Sequence, residues 1–402
     1  MNVQLLSLAN SPLSQVLLSD SNMSSFVYSV YSSLPPCSRE KVELQGTNLG
    51  FGKSTSFAVP RYGILCGVVL KVVMTGTGMN SGLNLGNCLI KNAVLSSHSR
   101  EIIRLETLGN LLNILDKPQP TQDALMSVAY NNNAVASDSS ITCFVPLNFS
   151  VFNNMSSYID TSFVEQLEVN VSLNNSTDVF EATTTITLDT TNSALIFYYL
   201  NMSEADTRAL QNSNYDVSRP LSVLTKSYYK ESDVSVTTTE VKEFTIKMPI
   251  NCPNLITRSI LGLYKKYSSG TTFDGQVGNF IPISKVKIYS SGRVIYEYKS
   301  TEEEVLENAL FFNKGKQGVM VNDTVSSNYG SNLFVHNWGL AGNDNQFSGG
   351  VSGKGSSNLY LEASFTTTVT TSTVYTLVCE NEYLSIVSTS GGSGKISSSI
   401  SL

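Results

Sequence analysis

The feature that most constrains this chain is a weak internal repeat whose period is about half of its 402 residues. Ser97-His98-Ser99-Arg100-Glu101-Ile102-Ile103 leads into a Leu-rich helical pattern, and Ser290-Ser291-Gly292-Arg293-Val294-Ile295-Tyr296 leads into a Glu-capped one. Arg100 and Arg293 lie 193 residues apart. Phe144-Val145-Pro146-Leu147 matches Phe334-Val335-His336-Asn337 at an offset of 190, Leu167-Glu168-Val169 matches Leu361-Glu362-Ala363 at 194, and Pro60 matches Pro249 at 189. Each match is degenerate alone. Their shared order and nearly constant spacing imply two copies of one module, each of ordinary domain size. The expected division is an N-terminal arm over 1–40, a first module over 41–215 and a second over 216–402.

Inside each copy the pattern is β. Val42–Gln45, Ser56–Val59 and Val169–Leu173 alternate apolar with polar, while Ile64–Met74 is a continuous apolar run broken only by Lys71. Thr183–Leu188, Ala194–Leu200, Val234–Thr239, Glu243–Met248, Lys285–Tyr289, Arg293–Tyr298, Leu359–Thr371 and Thr373–Val378 are further β-branched or aromatic runs, punctuated by Gly, Asn and Ser. Helical spacing is rare: Leu105, Leu108, Leu111, Leu112 and Leu115 form one short helix, and Ser300–Phe312 a second. The acidic run Glu302-Glu303-Glu304 suits the positive end of that second helix and reads as capping plus a solvated face. Before the β region, Met1–Cys37 reads as a partly helical arm ending at Pro35-Pro36. About eight strands and one short helix per copy close most economically as a sandwich with Greek-key links, which pairs or covers most edges. The expected fold class is all-β: two tandem eight-stranded jelly-roll β-sandwiches, a double jelly roll, with short helices in connecting loops.

Composition narrows the function. Charged residues make up 14 % of the chain, against about 25 % in a typical soluble domain, so few charges oppose association into large assemblies. The net charge is −6 and Lys and Arg never cluster, which argues against sequence-specific nucleic acid binding. The six cysteines, Cys37, Cys66, Cys88, Cys143, Cys252 and Cys379, are scattered and read as reduced, mostly buried small hydrophobes. The first twenty residues contain no Lys or Arg, so a secretory leader is not expected and intracellular synthesis is. The apolar run at Ile64–Met74 is far shorter than the roughly 20 residues of a spanning helix.

No motif for chemistry is complete. His98 and His336 are distant in sequence and have no Cys at ligand spacing. There is no G-x-S-x-G nucleophile turn. Gly353-Lys354-Gly355 and Gly394-Lys395-Ile396 lack the first Gly and the Ser/Thr of a phosphate-cradling loop, and Gly76-Thr77-Gly78 is a turn. No catalytic, cofactor-binding or metal-binding residue is expected, and no cofactor. Trp338 and the many Tyr and Phe are candidates for core or interface anchors. A carboxylate pair on a sandwich is a matter of three-dimensional spacing and stays open at this level, as does a carbohydrate- or receptor-binding tandem sandwich using some of the 19 Tyr as platforms.

Several segments resemble one known family in its order. Phe57-Ala58-Val59-Pro60-Arg61-Tyr62-Gly63-Ile64-Leu65 resembles the start of its first long strand. Leu89–Leu95 followed by Ser99-Arg100-Glu101-Ile102-Ile103 resembles the strand pair before its first helix. Phe144-Val145-Pro146-Leu147-Asn148-Phe149, Val164–Val171, Leu359-Tyr360-Leu361-Glu362 after a Gly/Ser/Asn loop, and Val374–Val387 with Gly391-Gly392 resemble later strands and the closing turn. From Cys37 to Leu402 the chain resembles the double jelly-roll major capsid proteins of tailless phages, adenoviruses, virophages and large DNA viruses. That resemblance implies a virion structural protein that forms homotrimeric, pseudo-hexagonal capsomers in an icosahedral shell around double-stranded DNA. It also implies neighbouring capsomers, penton and minor capsid proteins as partners, an arm beneath the capsomer that ties neighbours or touches an inner membrane, and no enzymatic role.

Overall fold

The computed structural model describes residues 37–76, 85–117, 119–129, 140–152, 159–161, 164, 166–180, 186–205, 222–267, 280–312, 332–339, 349–353, 358–367, 370, 372–389 and 396–399. Residues 1–36 of the expected arm lie outside them, and at Cys37 the chain is already in a strand. The first half forms β1 (Cys37–Gln45), β2 (Ser54–Ala58), β3 (Ile64–Gly76), β4 (Ile90–Ser97), β5 (Arg100–Glu106), β6 (Ser140–Pro146), β7 (Ile159–Asp160), β8 (Leu167–Leu173), β9 (Ile186–Leu188) and β10 (Ala194–Met202). The second forms β11 (Ser222–Lys230), β12 (Val234–Thr238), β13 (Glu243–Pro249), β14 (Leu255–Tyr267), β15 (Lys285–Ser290), β16 (Arg293–Tyr298), β17 (Phe334–Asn337), β18 (Val351–Ser352), β19 (Tyr360–Thr366), β20 (Thr373–Thr389) and β21 (Ile396–Ser399). The described helices are α1 (Leu85–Leu89), α2 (Thr107–Leu115), α3 (Gln119–Val128), α4 (Ser176–Val179) and α5 (Thr301–Phe312).

These strands make four antiparallel sheets, and each sheet takes its strands from one half of the chain. The first half has the order β1-β10-β3-β6, with β7 and β9 also on β3, facing β2-β8-β4-β5. The second repeats it as β11-β20-β14-β17, with β18 on β14 and β12 and β21 on β20, facing β13-β19-β15-β16. The fold is the double jelly roll expected from the sequence.

The repetition reaches single residues. β3 and β14 each have 13 residues. The short strand β7 pairs with Ile64 and Leu65, and β18 with Leu255 and Ile256. A bulge separates Leu95 from Ser96 in one hairpin and Ile288 from Tyr289 in the other, 193 residues on. Both hairpins close through two residues at positive φ, His98 (50°) and Ser99 (59°), then Ser291 (51°) and Gly292 (77°). That mirror-image turn matches the right-handed twist of the strands it joins. The equivalence of Arg100 and Arg293 therefore holds in the structure. The other sequence pairs slip. Phe334 stands opposite Leu261 as Val145 stands opposite Leu70, so Val145, not Phe144, is its counterpart. By the same registers Leu361 corresponds to Val169 and Pro249 to Ala58. Loops of unequal length separate the strands, so only cross-strand pairing fixes the register.

Alternation builds the core. β8 buries Leu167, Val169, Val171 and Leu173 on one face and leaves the residues between them half-buried. Two apolar clusters result. One fills the first sandwich and extends into the second through Tyr228, Ile260 and Val378; the other fills the second sandwich around Leu261, Leu361, Phe365 and Leu377.

Candidate functional site

The two sandwiches meet across surfaces built from their outer strands and helices. One such surface is filled within the chain. β5 and α2 of the first sandwich lie on the outer face of the β11-β20-β14-β17 sheet. Along β14, Leu261 and Leu263 point into the second core, while Ile260 points the other way and joins the first. Gly109 allows the close approach: a Cβ there would lie 2.5 Å from the Tyr228 ring.

The seam is also polar. The Gly109 amide donates to Glu380 Oε2 at 2.8 Å, and the Tyr228 hydroxyl donates to Asn113 Oδ1 at 2.9 Å. Arg258 donates from Nε and Nη2 to Glu382 Oε2 at 3.0 and 2.6 Å. Its Nη1 and Nη2 each reach Asp116 Oδ2 at 2.9 Å, at the end of α2. Burial would raise the Glu382 carboxyl; Arg258 and Lys226 outweigh it and hold the group at about 2. Glu380 has only the weaker opposing charge of Lys230 across from it. Burial, and the neighbouring carboxylate of Glu106, push it up to about 8 against the opposing amides of Leu108 and Gly109. Glu106 is raised as well, by burial first, with Arg104 opposing. The seam thus combines an ionised triad with a pair of buried acids that favour protonation.

The matching surface of the second sandwich is open in the chain. β16 and α5 correspond to β5 and α2 by topology, yet Val294, Ile295, Tyr296, Leu306, Leu310 and Phe311 are exposed, the last two at 66 %. In contrast, every residue of α2 from Leu108 to Leu115 is buried.

The residues singled out from sequence take structural places. Glu304 corrects the expectation of a solvated acidic face: it is buried, and its Oε1 accepts from the Val335 amide and from Asn308 Nδ2, each at 2.9 Å. Glu303 does cap, accepting the Lys299 amide at 2.7 Å. His336 is buried with its Nδ1 2.7 Å from the Tyr298 hydroxyl, and burial lowers its pKa to about 3. Trp338 packs edge-on against His336 and donates from Nε1 to Ser259 Oγ at 2.8 Å, so it serves the second core. His98 is half-buried in its turn. Cys88, Cys143, Cys252 and Cys379 are buried free thiols and Cys66 is half-buried. Lys354, Gly355, Thr77, Gly78 and the 394–395 turn lie outside the described residues. Among the described residues no group of three or more His, Cys, Asp or Glu is placed to hold a metal ion, and no helix is long and apolar enough to cross a membrane. A polar cleft of about 510 Å³ opens where the halves meet, lined among others by Lys53, Lys91, Asp178, Lys230 and Asp233. The seam acids Glu380 and Glu382 were missed from sequence. Alternate positions put both carboxylates on one face of β20, but nothing local in the sequence shows that this face is buried.

Two like sandwiches joined through such a seam make a double jelly roll. No family model matches the chain, and no curated protein sequence is similar to it. Solved structures are similar over nearly the whole length. VP54 of PBCV-1, fitted into a cryo-EM reconstruction of the virophage Sputnik, is 12 % identical with a TM-score of 0.68, over 92 % of this chain and 98 % of that one. The Faustovirus major capsid protein is 11 % identical with a TM-score of 0.58, over 89 % and 91 %. The mavirus major capsid protein is 11 % identical with a TM-score of 0.55, over 90 % of each chain. At these identities the likeness is one of fold.

Proposed function

We propose that this chain is a viral major capsid protein that self-assembles as homotrimeric, pseudo-hexagonal capsomers tiling an icosahedral shell around a double-stranded DNA genome. The observation that carries this reading is the residue-level repetition of one sandwich, down to the paired bulges and turns. Three copies place six near-identical sandwiches around a threefold axis, so a trimer presents a hexagonal outline and packs in near-equivalent surroundings. Low charge favours that association, and the contacts between copies are expected to be obligate, on the order of 2,000 Å² or more. The division at 41–215 and 216–402 fits the reading, because each half supplies both sheets of its own sandwich. The role is structural rather than enzymatic, within the virion, after synthesis inside the host cell. Neighbouring capsomers, penton and minor proteins are its partners, and the arm before Cys37 faces the shell interior. Electron microscopy of the purified protein tests this: hexagonal particles with a threefold axis support it, and isolated two-lobed particles at every concentration contradict it.

A further inference from the structure

The polar cleft of about 510 Å³ between the halves lies at one defined end of the molecule. β1 begins at Cys37 and runs toward the loop that carries Gly52 and Lys53, which line the cleft. The cleft is therefore at the end opposite the arm. Its first wall is held firm. The Gly52 amide donates to the Asn174 carbonyl at 3.1 Å, the Leu173 amide to the Lys53 carbonyl at 3.0 Å, and Asn174 Nδ2 to the Cys88 carbonyl at 2.8 Å. Gly52 sits at φ 68°, and a Cβ there would strike Asn175 Oδ1. These bonds fix the ends of β2, β8 and α1 against one another. The second sandwich closes the other side with Lys230, Asp233 and Tyr264. Three lysines and two aspartates give the lining a net charge of +1, on a chain whose net charge is −6. Lys230 pairs with Asp233 at 3.3 Å, and Asp178 accepts from Asn175 Nδ2 at 3.0 Å. Lys53 and Lys91 are exposed, and neither side chain makes a hydrogen bond or ion pair with a described residue. The same holds for the side chains of Asn92 and Ser172, both half-buried.

We propose that this cleft binds a short acidic saccharide, one that bears a carboxylate or a sulfate. Lys53 and Lys91 take the anionic group. Asn92 and Ser172, each able to donate and to accept, match the ring hydroxyls, and Tyr264 adds an amphipathic wall. The size fits, since clefts of roughly 300–1,000 Å³ hold small ligands. A phosphodiester polymer would need a longer basic track, and Lys and Arg cluster nowhere in this chain. An apolar peptide side chain would bury the Lys and Asn groups without partners. The site needs only one chain. That it faces outward rests on the capsomer reading, in which the arm faces the shell interior.

The test is calorimetric titration of the full chain with a heparin-derived tetrasaccharide, sialyllactose, neutral lactose and inorganic sulfate. At least one of the two acidic saccharides is expected to bind, with lactose and sulfate at least tenfold weaker. In K53E/K91E, whose changes fall on exposed side chains, that binding is expected to weaken at least tenfold. Failure of both acidic saccharides to bind overturns the proposal. Sulfate that binds as tightly as the saccharide reduces the cleft to an anion site and overturns it too. A variant that binds like the wild type overturns the assignment to this cleft. Lysine acetylation read by mass spectrometry needs no substitution: bound saccharide is expected to slow modification of Lys53 and Lys91 at least fivefold and to leave exposed Lys247 unchanged, and equal rates at all three overturn the proposal. Light scattering on the same samples keeps the two readings apart. Single chains that bind overturn the capsomer reading and leave the cleft standing, and three-chain species that do not bind do the reverse.

Discussion

Glu382 on β20 stands directly opposite Arg258 on β14 and takes two of its N–H groups, while Asp116 of the other sandwich takes two more. One guanidinium therefore bridges the halves of the chain. Both Arg258 and Glu382 side chains are under a tenth exposed. Removing one partner leaves buried charge unpaired, so Arg258→Met is expected to cost about 3–5 kcal/mol in denaturant unfolding. The triple variant R258M/E382L/D116L is expected to cost less than the single one, because no uncompensated charge remains.

The acid pair across the same seam sets a pH dependence. Glu380 and Glu106 hold protons in the folded state at pH values where the unfolded chain has released them. The folded state then binds more protons, and stability falls as pH rises. The fall begins near the ordinary carboxylate value of 4.5 and ends near 8, the value reached by Glu380. Unfolding midpoints of wild type and Glu380→Gln are expected to diverge across that window, with the variant losing less. Parallel curves would show that the pair does not titrate with folding. Glu382 works in the opposite sense: its contribution is present above about 4.5 and is lost as pH falls toward 2.

The two equivalent hairpin turns differ in strain at their second positive-φ position. Gly292 takes its positive φ without strain, but Ser99 holds φ 59° with a side chain. An L-residue in that region pays roughly 1–2 kcal/mol relative to one that avoids it. Ser99→Gly is expected to raise stability by up to about 1 kcal/mol, the flexibility of Gly in the unfolded chain offsetting the rest. Gly292→Ala is expected to lower it, read by the same unfolding curves.

His336 is buried against Tyr298, Tyr296 and Trp338. Burial depresses its pKa to about 3, so the neutral ring is the folded form. Its stabilising contribution is full above the usual 6.5 and is lost as pH falls from 6.5 toward 3. Its imidazole resonances are expected to stay unshifted between pH 8 and 5. A titration midpoint near 6.5 would place the ring in water.

Much of the fold was legible because period-2 alternation and the mirror-turn hairpins are local signals. Val169–Leu173, Glu243–Met248 and Arg293–Tyr298 all lie in strands, and both expected helices formed. Leu255–Tyr267 was not read as a strand, although its counterpart Ile64–Gly76 was, over Ile64–Met74. Its Arg258, Lys265 and Lys266 interrupt the apolar run, and only the seam explains why an arginine is tolerated there. Glu304 was misread for a related reason. An acidic residue in a first helical turn looks like a cap until β17 supplies a buried amide for it. Long-range partners of this kind leave no mark on local pattern, which is also why the seam acids were not named.

The most direct test of the central claim is the solution mass of the purified protein by light scattering across dilution. A species of three times the 43.6 kDa chain mass, unchanged on dilution, is the expected result. A single-chain mass at every concentration would contradict it.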